Sequence, residues 1–107
     1  MPQEPPALPP TPIISLEDAL SAIANPTRWR ILAELAGGDQ LMVAEIAERI
    51  GQSAAAISKH MAVLREARVV VQGRNRLYQL DPRLIADKSQ RLVDLGWCLL
   101  RMNTGAL

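Results

Sequence analysis

Between Gln52 and Lys59 the chain reads Gln-Ser-Ala-Ala-Ala-Ile-Ser-Lys, short side chains and hydroxyls leading to a cation. On the outer side of a helix these groups suit recognition of a large polar surface, and a DNA groove fits them. Ala55 can meet a thymine methyl, Ser58 can donate or accept a hydrogen bond, and Lys59 can reach a guanine or a phosphate. Gln52 and Ser53 stand at the entry to that helix. A second basic group, Arg74-Asn75-Arg76, comes about fifteen residues later. Bond-making chemistry is excluded on the same residues. No nucleophile is paired with a base, there is no glycine-rich phosphate loop, and the single histidine, His60, falls where a helix would turn it inward.

The elements that must position these groups can be read from periodicity. In Met42–Ile50 the apolar residues Val43, Ile46, Ala47 and Ile50 recur at helical spacing, and Gly51 can adopt the left-handed conformation that stops a helix. Gln52 and Ser53 make the turn, with Ser53 as N-cap of a second helix, Ala54 to Ala67. Ile57, His60, Met61 and Leu64 form the inner side of that helix, with His60 a structural residue. Ala55, Ser58, Lys59, Ala62 and Glu66 lie on the other side or its margin. Two readings of this pair remain open on the residues alone: a helix-turn-helix, or an ordinary helical hairpin whose alanine-rich face is for packing.

The charge distribution favours the first. The net charge is only +1, but residues 1–50 carry three basic against seven acidic side chains, and residues 51–83 carry six against two. The basic excess therefore coincides with the second helix and the segment after it, as expected for a polyanionic partner. The composition, 49% hydrophobic and 21% charged over 107 residues, predicts one globular domain, with an aliphatic core since Phe is absent. No apolar run is long enough to span a bilayer and no secretion signal opens the chain, so a cytoplasmic location is expected. One cysteine, Cys98, excludes a disulfide within the chain. It reads as an apolar interface residue.

In chain order, residues 1–14 form a proline-rich tail expected to be disordered, with six of the eight prolines in the first twelve positions. Residues 15–107 form the domain. Ser15 caps a first helix with the stripe Leu16, Ala19, Leu20 and Ile23, and Asn25-Pro26 starts a second that runs through Trp29, Ile31, Leu32 and Leu35 to Gly37-Gly38. After the helix-turn-helix, Val69-Val70-Val71 and Leu77-Tyr78-Gln79-Leu80 predict a β-hairpin whose tip carries Arg74, Asn75 and Arg76. Placed beside a recognition helix, such a hairpin is a wing. Asp81-Pro82 is read as the cap of a last helix, Arg83 to Met102, with Leu92, Leu95, Leu99 and Met102 on a seam of heptad type. The expected fold is mainly α with a small β-hairpin: a winged helix-turn-helix of five helices plus a two-stranded wing. Excess apolar surface on the last helix predicts a homodimer through Leu16, Leu20 and Ile23 of the first helix and Leu92, Leu95, Leu99 and Met102 of the last.

Ala24-Asn25-Pro26-Thr27-Arg28-Trp29-Arg30-Ile31-Leu32, Val43-Ala44-Glu45-Ile46-Ala47, Ser58-Lys59-His60-Met61, Val63-Leu64-Arg65-Glu66-Ala67 and Arg76-Leu77-Tyr78-Gln79-Leu80-Asp81-Pro82 occur in an order that resembles the ArsR/SmtB family of bacterial winged-helix repressors. The likeness covers most of residues 15–102. It implies a homodimer through the first and last helices, the helix from Ala54 in the major groove of double-stranded DNA at an inverted-repeat operator, and the wing beside it. Where the family has a cysteine-x-cysteine thiolate motif, this chain has Met42, Val43 and Ala44. Where last-helix ligands would stand, Asp87 matches the acid, but Ser89, Leu100 and Asn103 offer no imidazole or second acid. One carboxylate cannot make a zinc site, so no metal and no cofactor are expected, and the releasing signal is an unidentified non-metal effector. Two further departures are a wing about three residues short and Arg68 in the place of a helix-ending glycine. A winged-helix module that binds protein instead of DNA is the alternative.

Overall fold

The computed structural model describes residues 14–102. The proline-rich tail lies outside them except for Ile14, which is buried in the core. Helix α1 (Leu16–Ile23) starts at Ser15, whose Oγ accepts from the Asp18 amide. Helix α2 (Pro26–Leu35) starts at Asn25, whose Oδ1 accepts from the amides of Thr27 and Arg28 at 3.0 and 3.1 Å. Pro26 opens that helix because it lacks the amide that a first turn leaves unused. Helix α3 (Val43–Ile50) ends at Gly51, with φ at 80°, and α4 (Ala54–Glu66) begins at Ser53, whose hydroxyl accepts from the Ala56 amide.

The four helices enclose an aliphatic core. Ile57, Met61 and Leu64 of α4 are fully buried together with Ile46 of α3 and Ile31 and Leu35 of α2, and Trp29 packs against the cluster. Beyond α4, Arg68 takes a left-handed backbone, φ 64°, and turns the chain into β1 (Val70–Gln72). This strand pairs antiparallel with β2 (Tyr78–Leu80), and the bridge from Leu41 to Tyr78 covers the other edge of β2.

The last helix expected from the sequence is not formed. After a single 3-10 turn, Pro82–Leu84, the chain makes a three-stranded antiparallel meander of β3 (Ile85–Asp87), β4 (Leu92–Asp94) and β5 (Leu99–Arg101), with β4 in the middle. Among the described residues the domain therefore has four α-helices, not the five expected. Two turns interrupt the helical pattern. Asp87 Oδ1 accepts from the amides of Ser89 and Gln90, and Asp94 Oδ1 accepts from the amide of Gly96, which sits at φ 88°. Side chains that bond their own backbone two residues on compete with a helix and favour turns. Read with period two, Val93 of β4 and Leu95 just beyond it turn inward, as do Leu100 of β5 and Met102 just beyond it, all four lining one apolar gap; Val93, Leu95 and Met102 are buried.

The heptad-type seam is consequently divided. Leu95 and Met102 are each 1% exposed within their own chain and Leu92 is half-buried, whereas Leu99 is 60% exposed on the outer face. Ile23 of α1 is interior as well, Leu16 is half-buried, and Leu20 is exposed. The seven residues do not form one continuous surface. The meander closes the core at the end where α1 finishes: Ile23, Leu32, Val69, Leu80, Val93, Leu95, Leu100 and Met102 surround an apolar gap of only about 10 Å³. Arg91, at the start of β4, donates to the Ala33 carbonyl and so fastens the meander to α2.

Candidate nucleic-acid interface

The outward side of α4 is built as its sequence suggests. Ala55, Ser58 and Lys59 are exposed, while Ile57, Met61 and Leu64 anchor the opposite side of the same helix. Small side chains leave the α4 backbone able to approach a groove wall. Gln52 and Ser53 are also exposed at its N-terminal end, but both are already engaged. The Ser53 hydroxyl serves as the cap, and Gln52 Nε2 donates to Thr27 Oγ1 at 2.9 Å. Thr27 was not among the residues expected at this surface. It stands twenty-five positions from Gln52, and the contact joins the α3–α4 turn to the first turn of α2.

The wing tip is a tight turn over Arg74–Arg76, closed by the amide of Gly73 donating to the Leu77 carbonyl at 2.8 Å. Asn75 and Arg76 both have φ at 59°, and Arg74, Asn75 and Arg76 are all exposed. Among non-glycine residues asparagine tolerates that conformation best, which suits its place between the two arginines. Arg65 on α4 donates from Nη1 to Gln72 Oε1 of β1 at 3.2 Å, so helix and wing are held together by a side-chain contact as well as by packing. Arg65 is a second residue that sequence spacing did not single out.

Behind α4, His60 is half-buried with Nδ1 3.2 Å from Nη1 of Arg28 on α2. Burial, and after it the neighbouring guanidinium charge, push its pKa below the usual histidine value. A neutral ring accepting from Arg28 satisfies both groups. Arg28 also donates from Nε to the Ala22 carbonyl near the end of α1, so one guanidinium ties α1, α2 and α4 together. His60 thus works inside the scaffold, while Cys98 is half-buried against the core from the β5 side. Among the described residues, no group of three or more His, Cys, Asp or Glu side chains could hold a metal ion, and no helix is long and apolar enough to cross a membrane.

Comparison with known proteins agrees with this geometry. Residues 23–72, from the end of α1 to β1, match a helix-turn-helix domain model. The chain is 41% identical over 75 residues to the HTH-type transcriptional regulator Rv2034 of Mycobacterium tuberculosis, covering 67% of this chain and 69% of that one. It is 31% identical over 93 residues to the transcriptional repressor SdpR of Bacillus subtilis, covering 84% and 96%. Among solved structures it resembles HlyU of Vibrio cholerae, with a TM-score of 0.59 and 29% identity over 70% of this chain and 82% of that one. The transcriptional repressor BigR of Xylella fastidiosa superimposes with a TM-score of 0.56 at 27% identity, over 63% and 68%.

Proposed function

Because this chain belongs to the winged-helix transcriptional regulators of the ArsR/SmtB type, we propose that it is a homodimeric repressor that occupies an inverted-repeat operator. As a DNA-binding regulator it is not an enzyme. In each half-site α4 enters the major groove with Ala55 and Ser58 towards the base edges and Lys59 towards guanine or phosphate. Arg74, Asn75 and Arg76 reach the flanking backbone or minor groove from the wing. Gln52 and Ser53 approach phosphates at the helix entry. With three successive alanines opening α4, direct base contacts are few, and groove shape and phosphate geometry carry a larger share of the selectivity.

The observation that carries this reading is the exposed, small-residue face of α4 joined through Arg65 and Gln72 to an exposed arginine-rich wing. Release from DNA is assigned to a non-metal effector, since Met42 and Ala44 replace thiolates and Asp87 is occupied by its own turn. Titrating the protein into labelled duplexes from its own upstream region tests the proposal. A site with inverted symmetry should bind far more tightly than a scrambled duplex of equal length, and Ser58→Ala with Lys59→Ala should erase most of that difference. Equal affinity for both duplexes would point instead to a module that binds protein.

A further inference from the structure

The turn between β3 and β4 carries more positive charge than its fold uses. Lys88 and Arg91 belong to it and Arg101 of β5 stands beside it, against one acid, Asp87. That acid is already engaged: Oδ1 accepts from the amides of Ser89 and Gln90 and from the Ser89 hydroxyl, and Oδ2 accepts from Gln90 Nε2 at 3.2 Å. Among the described residues neither guanidinium has a carboxylate within ion-pair distance. Their partners there are neutral oxygens, since Arg91 donates from Nη1 to the Ala33 carbonyl and Arg101 from Nη2 to Gln90 Oε1 at 3.2 Å. A guanidinium carries five N–H groups, so each contact uses a small part of what is offered.

Ser89, Gln90, Arg91 and Arg101 line an open recess of about 320 Å³. Leu92 pairs with Arg101 across β4 and β5, which brings Arg101 next to the strand end that Arg91 begins. Arg91 holds φ at 53°, a left-handed backbone that suits glycine or asparagine, so a long cationic side chain kept there points to a use for that side chain. The loop after α2 gives both cations of the turn room to lie close. A Cβ at Gly37 would stand 3.5 Å from the Arg91 guanidinium, and one at Gly38 would stand 3.1 Å from the Lys88 stem.

We infer that this recess binds a small organic phosphate through Arg91 and Arg101. A guanidinium fork matches two phosphate oxygens at once, and a charged acceptor in place of the neutral Gln90 oxygen makes the stronger hydrogen bond. One water takes up about 30 Å³ of liquid, so the recess is larger than a bare phosphate fills and has room for an organic body. The backbone of DNA is the other source of the same chemistry, and the placement argues against it. Thr27, in the first turn of α2, meets Gln52 at the recognition surface, whereas Ala33, which anchors Arg91, lies about 9 Å farther along the helix axis. The recess is thus apart from the DNA surface, and the inference does not depend on the DNA-binding reading.

Titrating glycerol 3-phosphate into the full chain without DNA, at an ionic strength held constant with chloride, tests it through the NMR signals of the arginine Nε–H groups. The Arg91 and Arg101 signals should shift and saturate with one dissociation constant, while those of Arg74 and Arg76 stay in place. Arg101→Gln should weaken binding at least about tenfold with unchanged circular dichroism, Arg101→Lys should weaken it less, and Arg74→Gln should leave it as it was. Shifts that never saturate, equal shifts at the wing, or an Arg101→Gln protein that binds as tightly as the parent would overturn the site. So would signals of Arg91 and Arg101 that answer only to a short DNA duplex, which would make the DNA backbone the source of the phosphate. Saturable binding of glycerol 3-phosphate by a chain that ignores DNA would support the recess and defeat the regulator reading, and operator binding without it would do the reverse.

Discussion

Neutralising the wing should change how binding responds to salt more distinctively than it changes binding at any one salt concentration. Lys59, Arg74 and Arg76 are exposed, and none has an acidic side chain within ion-pair distance among the described residues. If all three meet phosphates, a dimer makes about six such contacts, and log K against log[salt] has a slope of about −5. Between 50 and 200 mM salt the affinity should then fall roughly 10³-fold. Arg74→Ala with Arg76→Ala removes four of the six, leaving a slope of about −2 and a loss of only about tenfold over the same range. Arg49 provides the control. It pairs with Glu34 at 3.3 Å and Asp39 at 3.6 Å, so Arg49→Ala should leave the slope where it was. Fluorescence anisotropy with a short labelled duplex across a salt series reads all three proteins. An unchanged slope in the wing variant would refute the assignment of these arginines to phosphate, however much its affinity had fallen.

Arg68→Gly relieves a left-handed backbone and should stabilise the domain by about 0.5–1 kcal/mol, read from urea midpoints. Burial raises the Asp81 pKa, but the side-chain and backbone hydrogen bonds from Arg83, and its charge, outweigh it and hold the carboxyl below its usual value. Its stabilisation is therefore full above about pH 4 and fades as pH falls through the lowered value. Asp81→Asn should flatten that acid limb in thermal melts, while Asp81→Ala should cost about 0.5–2 kcal/mol at neutral pH by losing a cap. Zinc or cadmium at stoichiometric levels should leave operator affinity unchanged, and competition with a chelator that revealed a tight complex would contradict the ligand count.

The first four helices were legible because their ends are written locally. Ser15, Asn25-Pro26, Gly51 and Ser53 each satisfy or release backbone groups with their own atoms, so the punctuation survives without tertiary context. The left-handed turn at Arg68 was legible only through the family likeness, in which a glycine ends the helix at that place. The final segment was not. Leu92, Leu95, Leu99 and Met102 are spaced three, four and three apart, yet Val93-x-Leu95 and Leu100-x-Met102 fit a period of two in the same stretch. Asp94-Leu95-Gly96 and Asp87-Lys88-Ser89 were the local signals that favoured turns, and the leucine spacing outweighed them. Contacts such as Gln52 with Thr27 and Arg28 with His60 depend on how helices distant in sequence cross, which no local pattern specifies.

The inner side of the meander touches the same apolar gap as the end of α1 and the base of the wing, with Arg91 bolting it to α2. Close-packed layers of this kind leave little room for hinge motion. In the proposed dimer, two recognition helices carried on such rigid domains would therefore be set at a fixed distance and a fixed azimuth around the duplex. Inserting one base pair between half-sites rotates them by about 35° and separates them by about 3.4 Å, and stiff arms cannot follow both changes at once. On the proposed reading, the operator spacer would be as much a determinant of recognition as the bases that α4 meets.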